Sequence, residues 1–239
     1  MGTPSLLVTC AHFALTALLV WIGRIVFERS MPLGARAPVR RAAFLGLALA
    51  WLGGTWSLAR AGLLHAPDAD PPRFVFLMGP AVVGTVVLGL SPFGRRVLGV
   101  FSVRSIAAFQ AFRLPVELLL WELAREGLVP VRMTFEGSNP EWVTLVTLPL
   151  VLWLTRSGRA GWLLVLWNVL GLATLGTIMA IAVRSMPGAW QAFHDGSANA
   201  IVLTSSFVWV PCVYVLTALG GHVLALRGLV AGRVASGRG

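Results

Sequence analysis

Lysine is absent from this chain, and all 19 basic residues are arginine. A retinal-binding seven-helix protein needs a Schiff-base lysine, so that class is excluded whatever the helix count. Charge of either sign is scarce. Only 12% of the 239 residues are charged, against roughly 25% in a soluble domain. So few charges cannot clothe a surface that faces water. Cysteine is nearly missing as well. Cys10 and Cys212 lack metal-ligand spacing, and their expected depths differ by a turn or more, which argues against a disulfide. The first arginine is Arg24, so the opening segment lacks the positive region of a secretory signal. The chain also lacks HExxH, GxSxG, a P-loop, CxxC and a histidine box. No internal repeat stands out. These absences leave no cofactor, no metal and no recognisable enzyme class to expect.

What is present is apolar surface. Hydrophobic residues make up 57% of the chain, and the mean hydropathy is +0.82. A helix crosses the hydrocarbon core with about 20 apolar residues. Apolar stretches of that kind lie near 5–23, 42–64, 73–91, 105–124, 141–155, 161–183 and 199–226. The fifth is short and the fourth is interrupted by charge. The expected fold is therefore all-α, a single transmembrane helical bundle over 1–239 with about seven spans. The lipid bilayer is its expected surroundings.

The net charge of +10 resembles that of a nucleic-acid-binding chain, but the arginines sit in short runs between apolar stretches rather than on a soluble patch. Nucleic acid is not an expected partner. Arg24, Arg29, Arg36, Arg40 and Arg41 follow the first stretch; Arg95, Arg96 and Arg104 follow the third; Arg156 and Arg159 follow the fifth; Arg227, Arg233 and Arg238 follow the last. Seven spans put all of these on one side, leaving Arg60, Arg73, Arg125, Arg132 and Arg184 on the other. By the positive-inside rule the amino terminus is then outside and the carboxyl terminus inside. Trp21, Trp121, Trp142, Trp153 and Trp162 fall near span ends, as interfacial belts favour. Gly53-Gly54 and Gly171 with Gly176 suggest close helix contacts.

The fourth stretch carries the chemistry. At about 100° per residue, Gln110, Arg113, Glu117 and Trp121 share one face of an apolar helix. Arg113 and Glu117 are four residues apart and can pair directly. Charges at that depth cost about 2.5–3.5 kcal/mol each on insertion scales, so the stripe should face the bundle interior. Pro115 removes one backbone hydrogen bond there. On the expected topology Asn168 and His222 reach a similar depth, so Gln110, Arg113, Asn168 and His222 could converge. His12 falls in the other leaflet, which sets it apart from any haem or site built on His222. Two readings stay open for the stripe: a structural pair that fixes helix register, or a pathway, ligand or catalytic site.

The outer loop LVPVRMTFEGSNP is the second feature. It carries Arg132, Thr134, Glu136 and Asn139, and either folds back into the bundle mouth as a lid or forms an ordinary solvated turn. Asn139 or Ser138 ahead of Pro140 and Glu141 marks a helix start, by an Asn cap or by a capping box.

Phe112-Arg113-Leu114-Pro115-Val116-Glu117-Leu118, Met133-Thr134-Phe135-Glu136-Gly137 with Asn139, and Trp167-Asn168-Val169-Leu170-Gly171-Leu172 together resemble a family of bacterial polytopic inner-membrane proteins. Val210-Pro211 and His222 fit the same pattern. That family has no assigned activity, so the resemblance implies a bacterial inner-membrane location and roles for Arg113, Glu117, Glu136 and Asn168. The expected function is small-molecule or ion transport or binding through the polar stripe. The alternatives are a non-catalytic subunit or assembly factor with a membrane-protein partner, and an intramembrane enzyme acting on lipid.

Overall fold

The structure is a computed structural model that describes residues 2–31, 34–158, 160–194 and 196–232. It is 76% helical, and the described residues contain no strand. Five helical runs are long and apolar enough to cross a bilayer: Leu6–Ser30, Ala37–Arg60, Arg73–Leu90, Gly161–Arg184 and Ser206–Val230. A bent pair can supply a sixth.

The chain runs α1 (Leu6–Ser30), α2 (Ala37–Arg60), α3 (Arg73–Leu90), α4 (Pro92–Val100), α5 (Val103–Phe109), α6 (Arg113–Arg125), α7 (Glu141–Leu154), α8 (Gly161–Arg184), α9 (Ile201–Thr204) and α10 (Leu216–Val230). Local chemistry explains several of these boundaries. The Ser5 hydroxyl accepts from the Val8 amide and opens α1. Ser91 accepts from Phe93 at the start of α4, where Pro92 occupies the first turn. Ser102 accepts from Ser105 and opens α5. A tight 3-10 turn, Gln110–Phe112, links α5 to α6, four residues ahead of Pro115, whose missing amide disturbs the helix there.

Three sequence expectations change. The segment after α3 is a helix, α4, rather than a loop, and it meets the following helix at 96°. The fourth stretch is helical over Val103–Arg125, but as the second arm of that bent pair. The last stretch is broken: α9 and a 3-10 turn lead into a π-helix at Val210–Val215, and only then into α10. Pro211 sits in the first turn of the π segment, and a wide turn of this kind accommodates the amide that proline lacks.

The arginine runs gather at one end of the bundle. Arg41 reaches Glu28 at 3.1 Å, Arg96 reaches Met31 at 2.9 Å, and Arg104 donates to the Leu152 carbonyl at 2.6 Å. Arg227 donates to the carbonyls of Gly89 and Ser91. Arg159, Arg233 and Arg238 lie outside the described residues. At the opposite end the Ser5 amide donates to Glu126 at 3.0 Å, and the Trp190 indole donates to Asp70 at 2.9 Å.

Packing at small residues differs in part from expectation. Gly53, Gly54 and Gly176 face open space. Gly171 does lie at a close approach, as expected, and others fall at Gly89, Gly137, Gly221, Gly228 and at Gly94, where a Cβ would run into the Gly89 carbonyl. Gly94→Ala is expected to destabilise the bundle by about 1–3 kcal/mol through overpacking, whereas Gly53→Ala leaves it unchanged. Thermal unfolding of the two variants in detergent checks the contrast.

Candidate functional site

A polar layer crosses the interior between two apolar clusters. On one side lie Leu98, Val103, Leu148, Leu164 and Leu229. On the other lie Val116, Leu175, Val210 and Ala218 among many others. Within the layer, Gln110, Arg113, Glu117, Asn139, Glu141, Asn168 and His222 are each at most 5% exposed.

Arg113 is the hub. Its Nη2 forms an ion pair with Glu141 Oε2, and its Nη1 contacts His222 Nε2 at 3.2 Å. Asn168 Nδ2 donates to the Leu164 carbonyl at 2.7 Å, so its Oδ1 is left to accept from His222 Nδ1 at 2.9 Å. That fixes the tautomer: Nδ1 carries the hydrogen and Nε2 accepts from the guanidinium. Gln110 Nε2 donates to the Ala218 carbonyl at 3.0 Å. Of the expected group, Arg113, His222 and Asn168 therefore meet directly, while Gln110 lies in the same layer bonded to backbone. The arrangement depends on two glycines. A Cβ at Gly171 would run into the His222 imidazole, and one at Gly221 would run into the Gln110 amide.

The direct pair between Arg113 and Glu117 does not form. Glu117 is held by Asn139, whose Nδ2 lies 3.0 Å and 2.8 Å from its two oxygens. The same amide nitrogen reaches the Met133 carbonyl at 3.1 Å, and Asn139 Oδ1 accepts from the Glu141 amide at 3.0 Å. The expected Asn cap with proline in the first helical position is thus shifted by one: Pro140 stands at the cap of α7, the Asn139 side chain, not that of Ser138, accepts from its first amide, and Glu141 turns to Arg113 instead of closing a capping box. Glu117 has both oxygens taken up by Asn139, while Glu141 approaches the guanidinium from another helix. Glu141 is the residue that sequence reasoning missed. Its position just after Pro140 marked a helix start and gave no sign of its partner.

The outer loop folds back into the bundle in part. Met133, Thr134 and Asn139 are buried, and the Thr134 hydroxyl donates to Val131 at 2.8 Å. Glu136 is exposed and takes no part in the buried layer. The Arg132 guanidinium lies over the Phe193 ring at 4.1 Å, also outside the layer. Trp121 leaves the stripe too, stacking on Phe135 with Arg125 over its ring. His12 belongs to a separate cluster, in which Nε2 donates to the Ser206 carbonyl at 3.0 Å and Nδ1 accepts from Tyr214 at 2.8 Å.

A cavity of about 60 Å³ adjoins the hub. Arg113, Glu117 and Glu141 form its floor, and its walls are apolar, with Phe74, Met133, Met186 and Val202 towards the end opposite the arginine runs. Several buried polar atoms in or beside it have no hydrogen-bond partner, among them Arg113 Nε, Glu141 Oε1, Gln110 Oε1 and Asn199 Oδ1. The volume is room for several water molecules, since roughly 10–15 Å³ of such space admits one. Among the described residues no cluster of His, Cys, Asp and Glu could hold a metal ion. Searches of protein families, of curated proteins and of solved structures found nothing that matches this chain.

Removing one partner of a buried ion pair costs about 3–5 kcal/mol. Arg113→Gln is accordingly expected to destabilise strongly, and Glu141→Gln in that background to restore much of the loss. Glu117→Gln in the same background should restore less. Double-mutant cycles on thermal stability separate the two pairs, and equal coupling for both would contradict the geometry.

Proposed function

We propose that this chain is a small transport protein that takes up and passes a proton at the Arg113–Glu117–Glu141 cluster. The observation that carries this reading is a count of charges. Two buried carboxylates face a single guanidinium, which pairs with Glu141 while Glu117 is held by Asn139, and the neighbouring imidazole accepts a hydrogen bond from the arginine and so brings no charge of its own. The fourth helix at the site, α8, contributes Asn168 and no ionisable group. With both carboxyls ionised the layer has one negative charge in excess, which is costly in an apolar interior. A proton makes it neutral. The cavity supports access to the carboxylates from one side, while the apolar cluster of Leu98, Val103, Leu148 and Leu164 closes the other. The π segment at Val210–Val215 forms one wall of the cavity, and such segments recur where helices adjust at functional sites.

The topology belongs to the same reading: seven spans in a bacterial inner membrane, amino terminus out and carboxyl terminus in. The gathering of arginines at one end supports the orientation. α7 has only 14 residues, about 20 Å of helix against about 30 Å of hydrocarbon. This fifth span therefore uses the buried part of the outer loop to complete its crossing, which irregular backbone can do where protein surrounds it.

Two measurements test this. In liposomes loaded with a pH-sensitive dye, the wild-type protein should dissipate an imposed pH gradient, and Glu117→Gln or Glu141→Gln should reduce the rate to that of empty vesicles while the protein still inserts. A wild-type rate equal to that of empty vesicles, or full flux in the double Gln variant, overturns the proposal. Reporter tags on the two termini should fall in opposite compartments; finding both in one compartment removes the seven-span topology.

A further inference from the structure

The membrane face of the bundle carries a second cavity, unrelated to the charge cluster. α2 packs on α1 and on residues 201–208, and a lateral groove of about 540 Å³ separates its inner half from α3 and α4. Phe44 and Trp51 of α2 form one wall, Thr85 and Phe93 the other, and Leu216 and Leu224 of α10 lie on the floor. Along α10 and the preceding π segment the lining runs from Cys212 to Leu224, about 18 Å at 1.5 Å per residue. One leaflet of the hydrocarbon core is about 15 Å thick, half of about 30 Å. The groove thus has the length of one acyl chain and opens towards the space that acyl chains occupy.

One end of the groove is strongly basic. α4 turns through 96° from the helix that follows it and so lies across the ends of its neighbours. Gly94, Val97 and Leu98 are buried on its inner face, while Arg95 and Arg96 are exposed. This is the pattern of a helix lying in a membrane interface. Phe93 and Gly94 close the groove, and the two arginines follow directly. Nearby, Arg24 and Arg41 share the single carboxylate of Glu28 at 3.4 and 3.1 Å, which leaves a positive excess there. A groove one leaflet long, ending at exposed guanidinium groups, matches an amphiphile with one apolar chain and a phosphate.

We propose that this groove binds one anionic glycerophospholipid, an acyl chain lying between Trp51 and Leu216 and the phosphate meeting Arg95 and Arg96. The proposal rests on the reading that the helices span a bilayer with the arginine-rich end at its surface; it does not depend on proton flux. The test is tryptophan quenching in phosphatidylcholine vesicles that contain a small fraction of lipid brominated on its acyl chains. Brominated phosphatidylglycerol should quench the full-length protein more than the same fraction of brominated phosphatidylcholine does. The excess should vanish in Trp51→Phe and fall in the Arg95→Gln/Arg96→Gln double variant. Should Trp51→Phe not fold, Ala48→Phe, which fills the groove and keeps every tryptophan, should remove the same excess. Equal quenching by the two brominated lipids overturns the site, and so does an excess that survives the arginine substitutions. A dimer by single-molecule photobleaching, with no excess quenching, would give the groove to a second copy and also overturn it. Because this readout involves no transport, failure of the flux measurement leaves it intact.

Discussion

A guanidinium in an apolar interior must find all of its counter-charge within the protein, and Arg113 organises this bundle for that reason. It draws Glu141 from α7, His222 from α10 and, through His222, Asn168 from α8. Four helical elements are thereby fixed in depth and rotation by one side chain. In water such a pair would contribute little, because solvent competes for both charges. Inside an apolar bundle the alternative is an uncompensated charge, and the geometry becomes obligatory.

Asn139 extends this constraint to the loop. Its amide nitrogen occupies both oxygens of Glu117, and its carbonyl accepts the first amide of α7. One short side chain therefore positions both carboxylates of the cluster, Glu117 directly and Glu141 through the backbone. That explains why the loop is buried at Met133, Thr134 and Asn139 while Glu136 between them points away. The same arrangement lets a helix too short to cross the hydrocarbon begin deep inside the protein without an exposed, unsatisfied end.

The layer also needs space, and glycine supplies it. Gly171 leaves room for the His222 ring and Gly221 for the Gln110 amide. Here a missing side chain is part of the polar site, whereas Gly89, Gly94 and Gly228 serve close helix contact and a Cβ at Gly53, Gly54 or Gly176 would meet nothing. The apolar clusters flank the layer on two sides, and the small cavity is lined by Met133 and Met186 of one of them.

The helical class, the apolar segments and the arginine runs were legible in composition and hydropathy, because the length of an apolar stretch and the charges between stretches are properties of a linear chain. So was the face shared by Gln110, Arg113 and Glu117, since helical periodicity places residues around an axis. Even the meeting of Arg113 with Asn168 and His222 could be anticipated from depth. The partner of Arg113 could not be. Glu117, one turn away, and Glu141, on another helix, were both available, and the choice fell to the packing of α7 against α6 with Asn139 between them. The 96° turn before α5, the π segment at Pro211 and the groove beside α2 were likewise invisible. Each is a relation between helices, and a pattern along one helix records which side is apolar but not which neighbour will cover it.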